Sequence, residues 1–396
     1  MRRSYSAAII GCGDIGHAHA EGYSRNENTT LVSVADPLEA ARRQFQAEYG
    51  VERAFASAEE MLATVQPDIV SVCVWHRLHA PMALAAAQAG AKAVICEKPM
   101  AISLGEVDAM LDACQKSGTK LLTSYQRRFT PGWEHARELV ASGAIGDARF
   151  GQARNGAGLL NVGSHTIDGM LFLLGEPAPL WVFGAVDRHT ERFERETPIE
   201  DACMLVVGLE GGAQLLIESD LADPGYGRGL RLRLDGTEGS LEATESHVRL
   251  LNPTSGGWHD VMALENVDTI GGEANARLVA ELVEWLDGGD GHRCDALRCR
   301  PTMEVMMACY ESASRHRVVH LPMSETRYPL ERMLAAGLLP PDEPGAYDIR
   351  AFLRREQIDE QRYAVLRSQG VRHHEIMKRL AAEAAGTFWS TQTGHG

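Results

Sequence analysis

Along the first 125 residues, short apolar runs alternate with longer stretches in which apolar positions recur at helical spacing. The runs at 7–10, 31–35, 69–74, 93–96 and 120–124 have the composition of strands buried on both faces. The stretches at 38–49, 58–65, 81–89 and 104–116 carry a period near 3.6 and predict helices. Strand and helix in strict alternation predict an α/β unit over residues 1–125, a doubly wound parallel sheet with helices on both faces.

The rhythm changes after residue 130. Helices are predicted at 131–142 and 164–174, the second ended by Gly175 and Pro177, with a strand near 148–154 between them. Strand-like runs then follow one another at 181–186, 202–209, 213–219, 230–235, 239–243 and 248–251, several separated by turns such as Glu210-Gly211-Gly212. With helices at 274–287 and 301–315 and a strand at 317–321, residues 126–325 are expected to form an α+β domain for substrate binding and oligomerisation, with a largely antiparallel, open sheet. One face of that sheet would lack helices from its own chain, which predicts a homo-oligomer, dimer or tetramer, packed through it. Residues 326–396 read as an extension with a charged helical pair at roughly 348–369 and 372–385.

The net charge of −15 opposes unspecific nucleic-acid binding and speaks against a DNA reader in the terminal helical pair. The eight cysteines are scattered without C-x-x-C spacing, as expected of buried reduced thiols in a cytoplasmic protein, and no metal site is predicted. The apolar start at 7–10 is too short for a signal-peptide core, and no run reaches the roughly 18 apolar residues of a membrane span.

Gly11, Gly13 and Gly16 form G-x-G-x-x-G between the first strand and a helix-like segment that begins at Asp14 and Ile15. The spacing suits a tight turn, close approach of a pyrophosphate and helix-on-strand packing, with the helix N-terminus offering free N–H groups. Asp36 ends the second strand, where a carboxylate would bond ribose hydroxyls and repel a 2′-phosphate, favouring NAD over NADP. Arg42 and Arg43 read as solvated surface charges.

With these glycines go the loop Cys73-Val74-Trp75-His76-Arg77-Leu78-His79, the segments Glu97-Lys98-Pro99-Met100 and Tyr125-Gln126-Arg127-Arg128, and the stretch Asn161-Val162-Gly163-Ser164-His165-Thr166-Ile167-Asp168. With weaker echoes at Gly236-Thr237-Glu238-Gly239-Ser240 and at Tyr310-Glu311-Ser312 before 318–322, they cover about residues 5–323 and resemble the glucose–fructose oxidoreductase/inositol dehydrogenase/MocA family of sugar and polyol dehydrogenases. The resemblance implies that Lys98 sits beside the nicotinamide and that His165 is the catalytic histidine. It also implies cofactor contacts from His79, Glu97 and Gln126, whereas Val74-Trp75-His76 stand where members commonly carry Thr-Pro-Asn, so the contacts expected of Trp75 and His76 with the cofactor differ from the family's. Chemically, a lysine in a half-dry cleft can hold or relay a hydroxyl proton, and a neutral imidazole can accept one. Where many members carry an aspartate, this chain has Asn161, which cannot take a proton but can bond a sugar hydroxyl. Asp168 is expected to orient His165 or bind substrate, and Arg127, Arg128, Arg154 and Asn155 are candidates for gripping a polar or anionic group.

The leading expectation is an NAD-dependent dehydrogenase acting on a secondary alcohol of a sugar, polyol or sugar derivative. An NAD-dependent glycoside hydrolase working by transient oxidation, elimination, water addition and re-reduction is the alternative, distinguished by showing no net NADH production. A non-catalytic NAD sensor is a third reading, opposed by the presence of Lys98 and His165.

Overall fold

The computed structural model describes residues 4–221, 230–268, 271–348, 353–354, 359–369, 371, 375–376, 379–380 and 383. The N-terminal part runs β1 (Tyr5–Ile10), α1 (Asp14–Ser24), β2 (Thr29–Ala35), α2 (Glu39–Tyr49), β3 (Arg53–Phe55), α3 (Ala58–Val65), β4 (Ile69–Val72), α4 (His76–Gln88), β5 (Ala93–Cys96), α5 (Leu104–Ser117) and β6 (Lys120–Thr123). The six strands pair in parallel in the order β3-β2-β1-β4-β5-β6. Chain direction across the sheet reverses between β1 and β4, and Ile10 is in register with both Ala35 and Val72. The loops after β1, β2 and β4 therefore leave the sheet at one edge, the crevice where open α/β sheets bind ligands. Ser57 and Ser103 cap α3 and α5 by accepting the Glu60 and Glu106 N–H groups.

Beyond β6 come α6 (Pro131–Ala141), β7 (Ala148–Asn155), a π-helical turn over Gly158–Gly163, α7 (Ser164–Leu173), β8 (Pro179–Asp187), β9 (Thr190–Glu194), β10 (Thr197–Pro198), β11 (Ala202–Leu209) and β12 (Gln214–Ser219). Then follow β13 (Arg231–Gly236), β14 (Ser240–Ala243), β15 (His247–Leu251), β16 (His259–Ala263), α8 (Gly272–Leu286), α9 (Ala296–Arg315) and β17 (Val319–His320). Nine strands form one sheet, β16-β15-β14-β13-β7-β12-β11-β8-β17, antiparallel throughout except for the β7–β12 pair. Helices α7 and α9 cover one face. On that side Val182, Leu205, Val207, Leu215 and Ile217 are buried, while alternate residues such as Phe183 and Met204 are exposed on the other face. α8 returns to pack on α1, so closely that a side chain at Gly22 would strike Asn275.

The chain ends with α10 (Pro329–Ala335), β18 (Glu343–Asp348), β19 (Leu353–Arg354) and α11 (Glu360–Ser368). β18 runs parallel to β9 and pairs with β19, in a small sheet ordered β10-β9-β18-β19.

The alternating pattern locates the Rossmann-type sheet and the second, largely antiparallel sheet where expected. It fails in an instructive way at two prolines. The pattern places helix starts at 81 and 301, yet α4 begins at His76 and α9 at Ala296, with each proline the sixth helical residue. Each proline forgoes one i→i−4 hydrogen bond, and α9 is nonetheless started upstream by Asp295, which accepts the Leu297 N–H. The extra turn of α4 brings His76 and His79 onto one helix, with ring centroids 5.7 Å apart. The short charged strands β9, β10 and β18 carry no apolar alternation and were not predicted. The extension, expected to be helical from 348, instead contributes strands before α11, whose start is set by Asp359 accepting the Arg362 N–H. The second predicted helix there, 372–385, lies largely outside the described residues.

Arg128 and Asp168, candidates for substrate recognition, form a buried pair instead. Arg128 Nε and Nη2 donate to the two Asp168 carboxylate oxygens at 2.9 and 2.6 Å, and Nη1 donates to Glu176 at 2.6 Å and to the Arg293 carbonyl at 2.5 Å. Neither residue of the pair has solvent exposure. Burial pulls the guanidinium pKa down, but the Asp168 charge outweighs it and holds Arg128 protonated. The fork thus pins the segment after β6 to α7 and engages four of its five N–H donors within the protein. Arg128→Ala would leave a buried, unpaired carboxylate and is expected to cost about 3–5 kcal/mol, read as a lowered midpoint in chemical denaturation.

Candidate active site

The three glycines of the β1–α1 turn play different physical parts. Gly11 has φ +100°, and a side chain there would overlap the Cys73 carbonyl after β4. A side chain at Gly16 would overlap the Gly11 carbonyl and press on Phe45 of α2. Around Gly13, by contrast, nothing lies within 4 Å of where a Cβ would stand. Gly13 is the N-cap of α1, and the backbone N–H groups of a helix's first turn have no acceptor within the helix itself. The cradle fits a dinucleotide pyrophosphate: close backbone, a helix N-terminus and no side chain at Gly13 in the way.

Asp36 stands beside it. One carboxylate oxygen accepts the Cys12 N–H at 2.9 Å and the other the Leu38 N–H at 2.8 Å, which ties the ends of β1 and β2 together. Each oxygen keeps acceptor capacity for a ribose hydroxyl. Arg42 is not a free surface charge, as its guanidinium donates to the Asp36 carbonyl at 2.5 Å.

Two further contacts fix the loop after β5. Glu97 is buried and bonded to His19 at 3.0 Å, and His19 in turn meets Ser71, which Tyr23 also contacts. Burial raises the Glu97 pKa, but the His19 hydrogen bond and the positive charges of His19 and Lys98 prevail, and the carboxyl titrates below its usual range. Expected beside the cofactor, Glu97 thus spends its carboxylate on the protein. His79, buried in α4, also turns to the backbone, contacting the Pro99 carbonyl at 2.7 Å and the Val74 carbonyl at 3.1 Å.

Lys98, between these anchors, reaches across to the second sheet's elements. Its ammonium donates to Asn161 Oδ1 at 2.8 Å and lies 3.4 Å from the Asn161 carbonyl. Asn161 lies in the π-helical turn, which two carboxylates hold. Asp220 accepts the Ala157 and Gly158 N–H groups at 2.9 and 2.8 Å. Glu200, buried, accepts the Leu159 N–H and the Tyr310 hydroxyl at 2.6 Å each. Asn155 supports the turn from behind, donating to Ser219 at 2.8 Å. The turn runs directly into α7, whose second residue is His165.

His165 is buried against the edge of the Tyr125 ring, and its Nδ1 has no partner among the described residues. Burial, then the charges of Arg127 and Lys98, hold its pKa well below the ordinary histidine value, so the ring is neutral near pH 7. Lys98 is drawn down to about 8, by burial first and by the Arg195 charge next, with Glu194 and Glu97 opposing. A weakly held ammonium and a neutral imidazole therefore share one cleft. The side-chain carbonyl of buried Gln126 also lacks a partner among the described residues.

The other expected residues take varied places. His76 receives Arg195 Nη1 at 2.8 Å on Nε2, and burial and that charge keep it neutral. Trp75, 42% exposed, precedes α4 at the mouth of the crevice. Arg127 pairs with Glu245. Arg154 projects 78% exposed from the open sheet face, paired with Glu218, away from α7 and His165, so the expectation that it grips substrate is corrected. Arg195, His19 and Tyr23 were missed. The first lies in the β9–β10 turn with φ +47°, on a charged hairpin without a hydrophobic signal, and the other two point inward from the helix after the glycine turn.

Residues 5–125 match the oxidoreductase family with an NAD-binding Rossmann fold, and residues 148–242 match the GFO/IDH/MocA C-terminal domain, together more than half of the chain. Among similar proteins, the myo-inositol 2-dehydrogenase of Thermotoga maritima is 33% identical over 35% of this chain and 41% of its own. The D-glucoside 3-dehydrogenase of Escherichia coli is 30% identical over 43% and 54%. These two alignments thus span about half or less of the relatives' length. The D-apiose dehydrogenase of Paraburkholderia graminis is 24% identical over 85% of this chain and 94% of its own. An oxidoreductase from Agrobacterium radiobacter, solved with NAD+, L-tartaric acid and magnesium, shares the fold with a TM-score of 0.70 at 19% identity, over 80% of this chain and 98% of its own. The glycine cradle, the second sheet and both matched segments agree, and the chain belongs to the GFO/IDH/MocA family of oxidoreductases, with an NAD-binding Rossmann fold at residues 5–125.

Proposed function

We propose that the protein is an NAD-dependent dehydrogenase that transfers a hydride between a secondary alcohol of a sugar, polyol or sugar derivative and the nicotinamide. The observation that carries the reading is the Lys98 ammonium held on Asn161 Oδ1 at 2.8 Å beside buried His165, whose Nδ1 has no protein partner among the described residues. The relatives named above are dehydrogenases of inositol, a glucoside and apiose, which supports a carbohydrate substrate. Nothing in the site or in those names favours the redox-neutral glycosidase.

Gly11, Gly13, Gly16 and the N–H groups at Asp14 and Ile15 would hold the pyrophosphate, and Asp36 the adenine ribose; its carboxylate favours NAD over NADP. Trp75, His76 and Gln126 line the path toward Lys98. Bound NAD supplies the hydride acceptor. Lys98, whose pKa of about 8 makes its neutral amine accessible, would accept the substrate hydroxyl's proton as the hydride leaves. His165, held neutral by its low pKa, would help relay that proton toward solvent through a ring nitrogen. Asn161 gives its oxygen to Lys98 and keeps its amide N–H groups for a neighbouring hydroxyl.

No helix among the described residues is long and apolar enough to cross a membrane. We place the protein in the cytoplasm, where its eight free, buried cysteines would stay reduced. We further assign the open face of the nine-stranded sheet, with Phe183 45% and Met204 41% exposed, to self-association as a dimer or tetramer.

Lys98→Met and His165→Asn should each lower kcat/KM for NADH formation by about 10²–10⁴ while NADH binding persists. The assay is a sugar and polyol panel followed at the reduced-coenzyme absorbance band, with aglycone release measured in parallel. Aglycone release without NADH would replace this reading by the glycosidase. The wild-type rate of alcohol oxidation should rise with pH through about 8, as Lys98 loses its proton. Arg195→Gln removes a repelling positive charge, so the Lys98 pKa rises and this limb moves to higher pH; a downward move would contradict the assignment. Light scattering should report more than one subunit per particle, and Phe183→Glu with Met204→Lys should yield monomers.

A further inference from the structure

Strands β9 and β10 close on a two-residue turn. Glu194 is in register with Thr197, which leaves Arg195 and Glu196 as the turn, and both have positive φ, +47° and +63°. A turn of that hand favours Asn and Gly, and keeping two longer side chains in it costs conformational energy. The turn is nevertheless held from several sides. β18 lies parallel to β9, with Arg192 opposite Tyr347 and Phe193 opposite Asp348. The Tyr328 hydroxyl donates to the Pro198 carbonyl at 2.8 Å, and Arg77 of α4 donates from Nε to the Glu196 carbonyl at 3.5 Å. The carboxylate of buried Glu194 stands 3.6 Å from the Arg195 guanidinium. So placed, Arg195 donates from Nη1 to Nε2 of His76, the first residue of α4, at 2.8 Å.

That contact decides where the His76 proton sits. A guanidinium has only donors, so Nε2 presents its lone pair and the neutral ring carries its hydrogen on Nδ1. Burial first, and the Arg195 charge next, keep the ring from taking a second proton. His79 beside it, with ring centroids 5.7 Å apart, gives both its nitrogens to the Pro99 and Val74 carbonyls. His76 Nδ1, by contrast, is buried and has no partner among the described residues. A buried N–H without an acceptor is destabilising, and an oxygen brought by a ligand would remove that penalty. The strand order says which part of a ligand brings it. Asp36, the glycine turn, His76 and Lys98 follow β2, β1, β4 and β5, which are neighbours in that order. A dinucleotide with its adenine ribose at Asp36 and its pyrophosphate at the glycine turn must pass the start of α4 with its nicotinamide riboside half to reach Lys98.

We propose that Arg195 is a positioning residue: its hydrogen bond fixes His76 as the Nδ1–H tautomer, which donates to an oxygen of the nicotinamide riboside half of the coenzyme. The inference rests on the reading that a nicotinamide dinucleotide occupies the glycine cradle. It gives the β9–β10 turn, more than 100 residues beyond α4 in the chain, a part in coenzyme binding that it exerts through His76. It also gives the strained turn a use, because strain of this kind persists where the side chain it aims is needed.

The test has two readouts on the full-length protein. The first is a long-range proton–nitrogen NMR spectrum of histidine-labelled protein near neutral pH, with the His76 signals assigned by their loss in His76→Phe. The free wild type should carry the His76 proton on Nδ1, Arg195→Met should move it toward Nε2, and Arg195→Lys should keep it on Nδ1. The second is calorimetric titration. Arg195→Met and His76→Phe should each weaken NADH binding about five- to tenfold, with no further loss in the double variant. ADP, which lacks the nicotinamide riboside, should bind to all of them as to the wild type. A wild-type proton on Nε2, or a tautomer unmoved in Arg195→Met, would overturn the proposal. So would unchanged NADH affinity in both single variants, or an equal loss of ADP, which would report damage to the cradle. Wild-type protein that showed the Nδ1–H form but bound no NADH would leave the Arg195–His76 pairing standing and defeat the functional reading itself.

Discussion

An ammonium group drawn partly out of water must be met by an oxygen, and Lys98 meets that of Asn161. The contact joins the loop after β5 to the turn before α7, elements that belong to different sheets. Both partners are held from behind. Glu97 is locked to His19, and His79 grips the Pro99 and Val74 carbonyls. Across the cleft, Asp220 and Glu200 hold the N–H groups of Ala157, Gly158 and Leu159, at and just before the start of the π-helical segment. Loss of any of these carboxylates would loosen one side of the cleft without touching the reacting groups, because precise placement depends on the supporting contacts.

Buried charge is used in two distinct ways. Arg128 spends four of its five donors on Asp168, Glu176 and the Arg293 carbonyl in a site closed to solvent, and these contacts fix the segment after β6 against α7. Lys98, Arg127 and Arg195 are satisfied less fully, and burial first, then the repulsion of these charges, lowers the pKa values of Lys98, His165 and His76. Motif position alone does not separate these cases, since Arg127 and Arg128 are neighbours. The difference is the partner set each side chain finds in space.

Much of the fold was legible because its signals are local. Period-2 and period-3.6 patterns mark the strands and helices of both sheets, and the glycine turn announces itself by spacing. Pro81 and Pro301 misled because a proline is a good start signal only on average, while Asp295 capped α9 a full turn earlier. The β9–β18 pairing was not visible because its partners lie about 150 residues apart, and neither it nor the short β9–β10 hairpin carries apolar alternation. Arg195 was missed for the same reason.

The amino-acid order alone determined that a G-x-G-x-x-G turn follows a buried strand, that Asp36 closes the next one, and that Lys98 and His165 recur in a pattern resembling a dehydrogenase family. Those are properties of neighbours along the chain, where backbone sterics and periodic burial act directly. Only the tertiary structure decided that Asp168 serves Arg128 and not His165, that Arg154 faces outward, and that the extension pairs β18 with β9 and packs α11 on α2. Each of those outcomes depends on which charged groups meet across long loops, and electrostatic pairing follows distance in space, not separation in sequence.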